Sequence, residues 1–195
     1  MKKLFTVIAV ALVSVSAFAQ FRVQGGLSLG GYKENDNFNT APAVAARALY
    51  EYGLGTIADG ETYFLSAGVG LMMNNNTLKS STDTKIKMTW IQVPVMLGST
   101  YGIGSGELYA SVGLYYAYAI SGKSVSSTTT LDLIGDDLTK LFKPHDFGWL
   151  VQAGYTFPIN LGFYAGFNEG FLDITAVEGT SARNKVFEVG LMYNF

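Results

Sequence analysis

The sequence holds one histidine, His145, and it stands beside Asp146 in "KPHDFG", at the end of a long polar stretch. A His–Asp pair is material for general-base chemistry, able in principle to activate water or a serine. If a strand begins here, however, adjacent side chains point to opposite faces and the two cannot hydrogen-bond to one another. The expectation is an exposed loop histidine and no catalytic residue. Acids and amides in "GDD" (135–137) and "KENDN" (33–37) lack the ligand spacing of a calcium loop, and "GGLSLGG" (25–31) carries no phosphate-loop signature. With no cysteine in the chain, thiolate metal sites, thiol catalysis, disulfides and a lipid-bearing cysteine are all excluded. No metal or cofactor is expected. The formal net charge of −2 leaves no basic face for phosphates, so nucleic acid is not an expected partner.

A second set of polar residues has a different character. Arg22, Gln24, Arg47, Glu51, Gln92, Glu107, Gln152 and Glu188 stand singly inside apolar, glycine-rich stretches. Their surroundings alternate with period 2. In "GELYASVGLYYAYAIS", Leu108, Ala110, Val112, Leu114, Tyr116, Tyr118 and Ile120 share one face, opposite Glu107, Tyr109, Ser111, Gly113 and Tyr115. "DFGWLVQAGYTF" sets Phe147, Trp149, Val151, Ala153, Tyr155 and Phe157 against Asp146, Gly148, Gln152 and Gly154. "ETYFLSAGVGLMMN" and the final "KVFEVGLMYNF" divide the same way. By this count strands lie near 21–32, 43–54, 61–74, 85–99, 106–121, 146–157, 159–172 and 185–195. The 23 glycines, 12 tyrosines and 13 phenylalanines agree with an all-β chain.

Segments of roughly 10–16 residues exceed the 5–6 usual in globular proteins and reach the 9–11 that a tilted strand needs to cross a bilayer. The wholly apolar face then meets lipid, and the face bearing isolated charges turns inward, the reverse of a soluble barrel. A charge at mid-bilayer on the lipid face would cost about 2–4 kcal/mol; the outward faces carry essentially one, Glu169, near a loop end. The connections 33–42, 75–84, 122–145 and 173–184 are long and polar, whereas 55–60, 100–105 and Pro158 are short. This fits external loops and periplasmic turns. At the start, "MKKLFTVIAVALVSVSAFAQ" has a basic beginning, a short apolar run and an Ala-x-Ala site, predicting a signal peptide over 1–19 and a barrel domain over 20–195.

The expected fold is therefore an eight-stranded antiparallel up-and-down transmembrane β-barrel of the bacterial outer membrane, with a side-chain-filled interior. Arg22 and Arg47 are expected to neutralise some of Glu51, Glu107 and Glu188 in a central polar network that includes Gln92 and Gln152. Tyr50, Tyr52, Tyr63, Tyr101, Trp149, Tyr155, Phe157 and Tyr193 are candidates for interfacial aromatic girdles. The terminal Phe195 matches the kind of C-terminal aromatic that barrel-assembly machinery recognises. In the longest loop, 122–145, "LDLIGDDLTKLF" allows a short amphipathic helix from near Asp136, able to cap the mouth, rest on the membrane or meet a protein partner.

"MTWIQVPVMLGSTYG", with its block Trp90-Ile91-Gln92-Val93-Pro94-Val95-Met96-Leu97, is followed by "GELYASVGLYYAYAISGK". Together with "DFGWLVQAGYTF", "LGFYAGFNEGFLDIT" and "FEVGLMYNF", it resembles the PorT-like outer-membrane β-barrel family over nearly the whole mature chain. Gln92 stands where many relatives carry Glu. The resemblance implies a small barrel of the type represented by OmpA and OmpX. The expected role is that of a structural or interaction protein working through its external loops, since loops carry variable function on rigid scaffolds. Alternatives are a component of a type IX secretion or gliding assembly, which the family's eponymous members serve, a rim-located enzyme, and a pore. Outer-membrane lipid is the implied surrounding.

Overall fold

Period-2 alternation is carried into long antiparallel strands in the computed structural model, which describes residues 19–33, 38–56, 61–78, 84–126, 129–134, 141–176 and 181–195. The strands are β1 (Ala19–Lys33), β2 (Phe38–Thr56), β3 (Thr62–Leu78), β4 (Lys85–Ile103), β5 (Gly106–Val125), β6 (Thr130–Asp132), β7 (His145–Thr156), β8 (Leu161–Gly170) and β9 (Arg183–Asn194). Their order is β4-β3-β2-β1-β9-β8-β7-β5-β6, and an additional β4–β5 pairing closes the ring. Eight strands form an up-and-down barrel; β6 is a three-residue extension beside the upper part of β5. Closure leaves no unpaired edge in hydrocarbon, where orphaned backbone groups cost several kcal/mol each. The closing seam pairs β1 with β9 from Arg22 opposite Asn194 to Lys33 opposite Arg183.

The short connections share one end. Gly104 and Ser105 join β4 to β5; Gly104 has φ +64° and Ser105 does not share its positive φ, the signature of a type II′ hairpin turn. Between β7 and β8, Phe157 N–H donates to the Leu161 carbonyl and closes the loop 158–160, at whose end Asn160 takes φ +63° with its own N–H donating to the Phe157 carbonyl.

At the opposite end the strands run further than the sequence pattern predicts. β1 and β2 extend over most of the expected loop 33–42, and β3 continues to Leu78. Asn74 and Asn76 keep the inward phase there, so polar side chains continue the alternation that apolar ones began. The proposed leader lies outside the described residues except for Ala19, as does the segment 135–140 where the amphipathic helix is expected. The β3–β4 ladder has a gap at Pro94, which has no N–H to donate: pairing stops at Ala67–Val95 and resumes at Gly70–Gln92.

Candidate functional site: the barrel interior, its cap and the lipid face

Inward phase puts polar side chains from all eight barrel strands into one narrow space, and their reach decides which of them meet. Arg47 on β2 projects across the barrel to Glu188 on β9, with Nη1 donating to Oε2 at 2.6 Å and Nη2 to Oε1 at 2.7 Å. Its Nε and Nη2 also donate to Gln92 Oε1 at 3.1 and 3.0 Å, and Asn168 Nδ2 donates to Glu188 Oε1 at 2.7 Å. Arg47 is 3% exposed and Glu188 and Gln92 are 0% exposed, so the charges depend on one another for compensation. Gly70 lies between Arg47 and Gln92 in the cross-strand row, and a Cβ there would collide with the Arg47 stem.

Towards the short-turn end, Arg22 forms an ion pair with Glu51 at 3.1 Å, donates from Nε to Asn194 Oδ1 at 2.8 Å, and stands 4.2 Å from the centre of the Tyr109 ring. Gln24 and Gln152 exchange amide hydrogen bonds at 3.1 and 3.3 Å beside the Tyr109 hydroxyl. The two arginines thus pair with Glu51 and Glu188.

Glu107 departs from the expected network. It keeps the inward phase in register, opposite Thr156, but is exposed in an open polar basin at the short-turn mouth lined with Gln20, Ser105, Thr156 and Asn160. Tyr109, two residues further in, is buried beneath Arg22 and separates Glu107 from the layer above. Phase is a local property; burial depends on where along the strand the interior is sealed.

A third polar layer was not anticipated. Asp146 is fully buried, and its Oδ2 accepts from Tyr115 Oη at 2.9 Å and Asn184 Nδ2 at 2.8 Å. The sequence signal was its inward phase in "DFGWLVQAGYTF", but its partners come from strands distant in the chain. His145 points outward, hydrogen-bonded to Tyr116 and edge-on to Tyr118 at 5.2 Å. Alternation therefore separates the histidine from the aspartate.

Above this layer the long connections close the mouth. Leu133 N–H donates to the Gly122 carbonyl, Phe142 N–H to Leu133, Lys143 N–H to Ile174, Ala176 N–H to Leu141 and Ile174 N–H to Ala182. Leu133, Phe142, Ile174 and Ala182 join Trp90, Met88, Tyr115 and Val186 in one apolar cluster, with Phe142 stacked on Tyr32 at 5.4 Å. The described parts of 122–145 and 173–184 are knitted into a cap. Asp173 helps hold the second loop. Desolvation is the largest single influence and acts to raise its pKa, but the N–H groups of Ala182 and Thr175, each 3.0 Å from Oδ1, together with Lys143 and Ser181 outweigh it and hold the carboxyl below the usual range.

The outer surface has the opposite chemistry. Leu27, Leu65, Val69, Leu71, Val93, Val95, Leu97, Val112, Leu114, Val151, Val189 and Leu191 are all exposed there. On β4 the outward residues from Ile91 to Tyr101 cover about 33 Å of strand, or about 25 Å along the membrane normal at a tilt of about 40°, matching the apolar band of an outer-membrane barrel. Tyr52, Tyr63, Tyr101, Tyr155, Phe157, Tyr193 and Phe195 gather towards the short-turn end; Tyr155 and Phe157 meet edge-on at 5.3 Å and Tyr193 and Phe195 at 4.7 Å. Tyr116, Tyr118, Phe147 and Phe171 line the other side, with Phe147 and Phe171 at 5.7 Å. Trp149 lies part-buried away from the short-turn group, beside Phe167, whereas the part-buried Tyr50 stands opposite Phe21, whose ring touches Phe195.

The fold resembles solved small barrels. Neisserial surface protein A is similar over 90% of this chain and 97% of its own, at 12% identity and a TM-score of 0.50. Ail, the attachment invasion locus protein of Yersinia pestis, aligns over 91% and 99% of the two chains at 14% identity and a TM-score of 0.46. OprG from Pseudomonas aeruginosa aligns over 91% and 96% at 13% identity and a TM-score of 0.46. No curated protein matches the chain. An apolar belt of bilayer height, a closed ring of antiparallel strands and inward charges are what a bacterial outer-membrane location demands, and the family model for outer membrane protein β-barrel domains matches residues 12–176: the chain belongs to that family.

Proposed function

We propose that this barrel is a closed scaffold, not a channel or a rim enzyme, acting as a structural or interaction protein through its external face. The observation that carries the reading is the double obstruction of the interior, by the Arg47–Glu188–Gln92 cluster at mid-height and by the Leu133–Phe142–Ile174 cap at the mouth. Side chains fill the space that a conducting pore would leave to water. Planar-bilayer recording of the purified barrel is expected to show no discrete conductance; steady unitary currents would overturn the reading. The cap also gives a protein partner at 122–145 a formed surface to bind, which crosslinking from exposed Leu141 in whole cells would detect.

The PorT-like resemblance, and with it membership of a secretion or gliding assembly, rests on the Trp90–Leu97 block. Within the fold that block supplies Gln92 and Pro94 to the interior and outward apolar residues to lipid, roles a barrel needs in any assembly. Recovery of secretion machinery with the detergent-extracted barrel would support the narrower assignment.

Phe195 is proposed as the assembly signal read by barrel-assembly machinery. Its ring is 70% exposed and touches Tyr193 and Phe21, while its N–H donates to the Phe21 carbonyl at 2.8 Å across the closing seam. Deleting Phe195 is expected to lower the amount of heat-modifiable barrel in the membrane several-fold, while the assembled fraction loses only about 0.5–1.5 kcal/mol of stability with the one seam hydrogen bond. Unchanged assembly would remove the role.

A further inference from the structure

On β5 the inward residues are odd-numbered as far as Ala119, but Gly122 is then buried and Lys123 exposed. The change comes from a β-bulge: Thr89 pairs with Ser121 and Trp90 with Ala119, leaving Ile120 as the extra residue. A bulge reverses the phase of everything beyond it. Without it Lys123 would point into the barrel; with it, Lys123 faces outward directly opposite Lys87, with exposed Lys85 two residues further along β4. Like charges set directly opposite in an antiparallel pair are destabilising. Asp132 stands opposite Lys123 on the other side, yet among the described residues none of the three lysines has a carboxylate within ion-pair distance.

The height of this pair identifies what would offset the repulsion. Lys87 lies four residues beyond Ile91, the last apolar outward residue of β4, and so about 10 Å above the hydrocarbon edge along a strand tilted by about 40°. That is headgroup level in a bilayer about 40–45 Å thick overall. Between the lysines and the apolar belt lie only Thr89, Ser121 and Ile120 on these two strands. We propose that Lys85, Lys87 and Lys123 form a binding site for the phosphate of a phosphorylated glycolipid in the outer leaflet, with the acyl chains running down over Ile91, Val93 and Tyr118. The bulge is the device that builds the site, since it aims Lys123 at the lipid.

The test reconstitutes the full barrel in phosphatidylcholine vesicles doped with diphosphorylated lipid A, or with the same lipid A stripped of its phosphates, and counts glycolipid retained per barrel after extraction by native mass spectrometry. Retention of the phosphorylated form is expected, with affinity falling about thirtyfold in Lys87→Gln/Lys123→Gln, taking about one kcal/mol for each surface lysine. Lys87→Arg/Lys123→Arg, which keeps both charges, should retain it and controls for folding. Equal retention of the stripped lipid, or undiminished retention by the Gln variant, would overturn the site. Displacement of the glycolipid by inorganic phosphate at equal concentration would show a site for free anions and overturn the lipid assignment.

Discussion

Arg47→Met is expected to destabilise the assembled barrel by about 3–5 kcal/mol, because it leaves the Glu188 carboxylate buried with its counter-ion removed. Asn168 still donates to Glu188 Oε1, but one neutral amide does not replace a bidentate guanidinium at 2.6 and 2.7 Å. The measurement is the urea midpoint of the folded band, followed by heat-modifiable migration in detergent micelles. Arg47→Met/Glu188→Leu provides the decisive comparison. Removing both charges removes the unpaired ion as well, and apolar substitution of a complete buried pair is often neutral or stabilising. The double variant should therefore recover most of the loss. Equal loss in single and double variants would mean that packing around the Arg47 stem, and not charge compensation, is what the site contributes.

Val112→Arg is the second large effect. Val112 is 56% exposed and lies opposite Leu97 and Val151, both exposed and apolar, about midway along the outward face of β5. In a bilayer an arginine at this depth costs about 2–4 kcal/mol, whereas the same change at Ile120, near the outer rim, costs about 0–1 kcal/mol. Refolding into phosphatidylcholine vesicles should show that gradient with depth. If water surrounded the barrel, both substitutions would be surface changes worth within about 0.5 kcal/mol. Equal and small effects at the two positions would thus contradict a lipid-facing exterior.

The interior network illustrates how unevenly a site can be read from sequence. Arg22, Gln24, Arg47, Glu51, Gln92, Gln152 and Glu188 are all buried as their phase predicts. Phase said nothing of which cation meets which carboxylate, because that depends on barrel stagger and on the distance a side chain can cross. Glu107 shows the limit: it has the inward phase, yet lies beyond the Tyr109 seal. Asp146 shows the converse, an inward residue whose buried partners, Tyr115 and Asn184, are 31 and 38 residues away in the chain. The split of His145 from Asp146, by contrast, was legible, since it needs only two adjacent strand residues.

What the sequence determined by itself is whatever a period of two and segment length can encode: an all-β chain, strands long enough to cross a membrane, an apolar face for lipid and a polar face within. These are properties of single strands, set by the alternation of Cβ atoms and the rise per residue. What only the tertiary structure decided requires strands to be laid beside one another. The β4–β5 closure, the Arg47–Glu188 and Arg22–Glu51 pairings, the cap built from two distant loops and the outward turn of Lys123 are of this kind. Each depends on register between strands, and a one-residue bulge that no local pattern announces is enough to exchange the two faces.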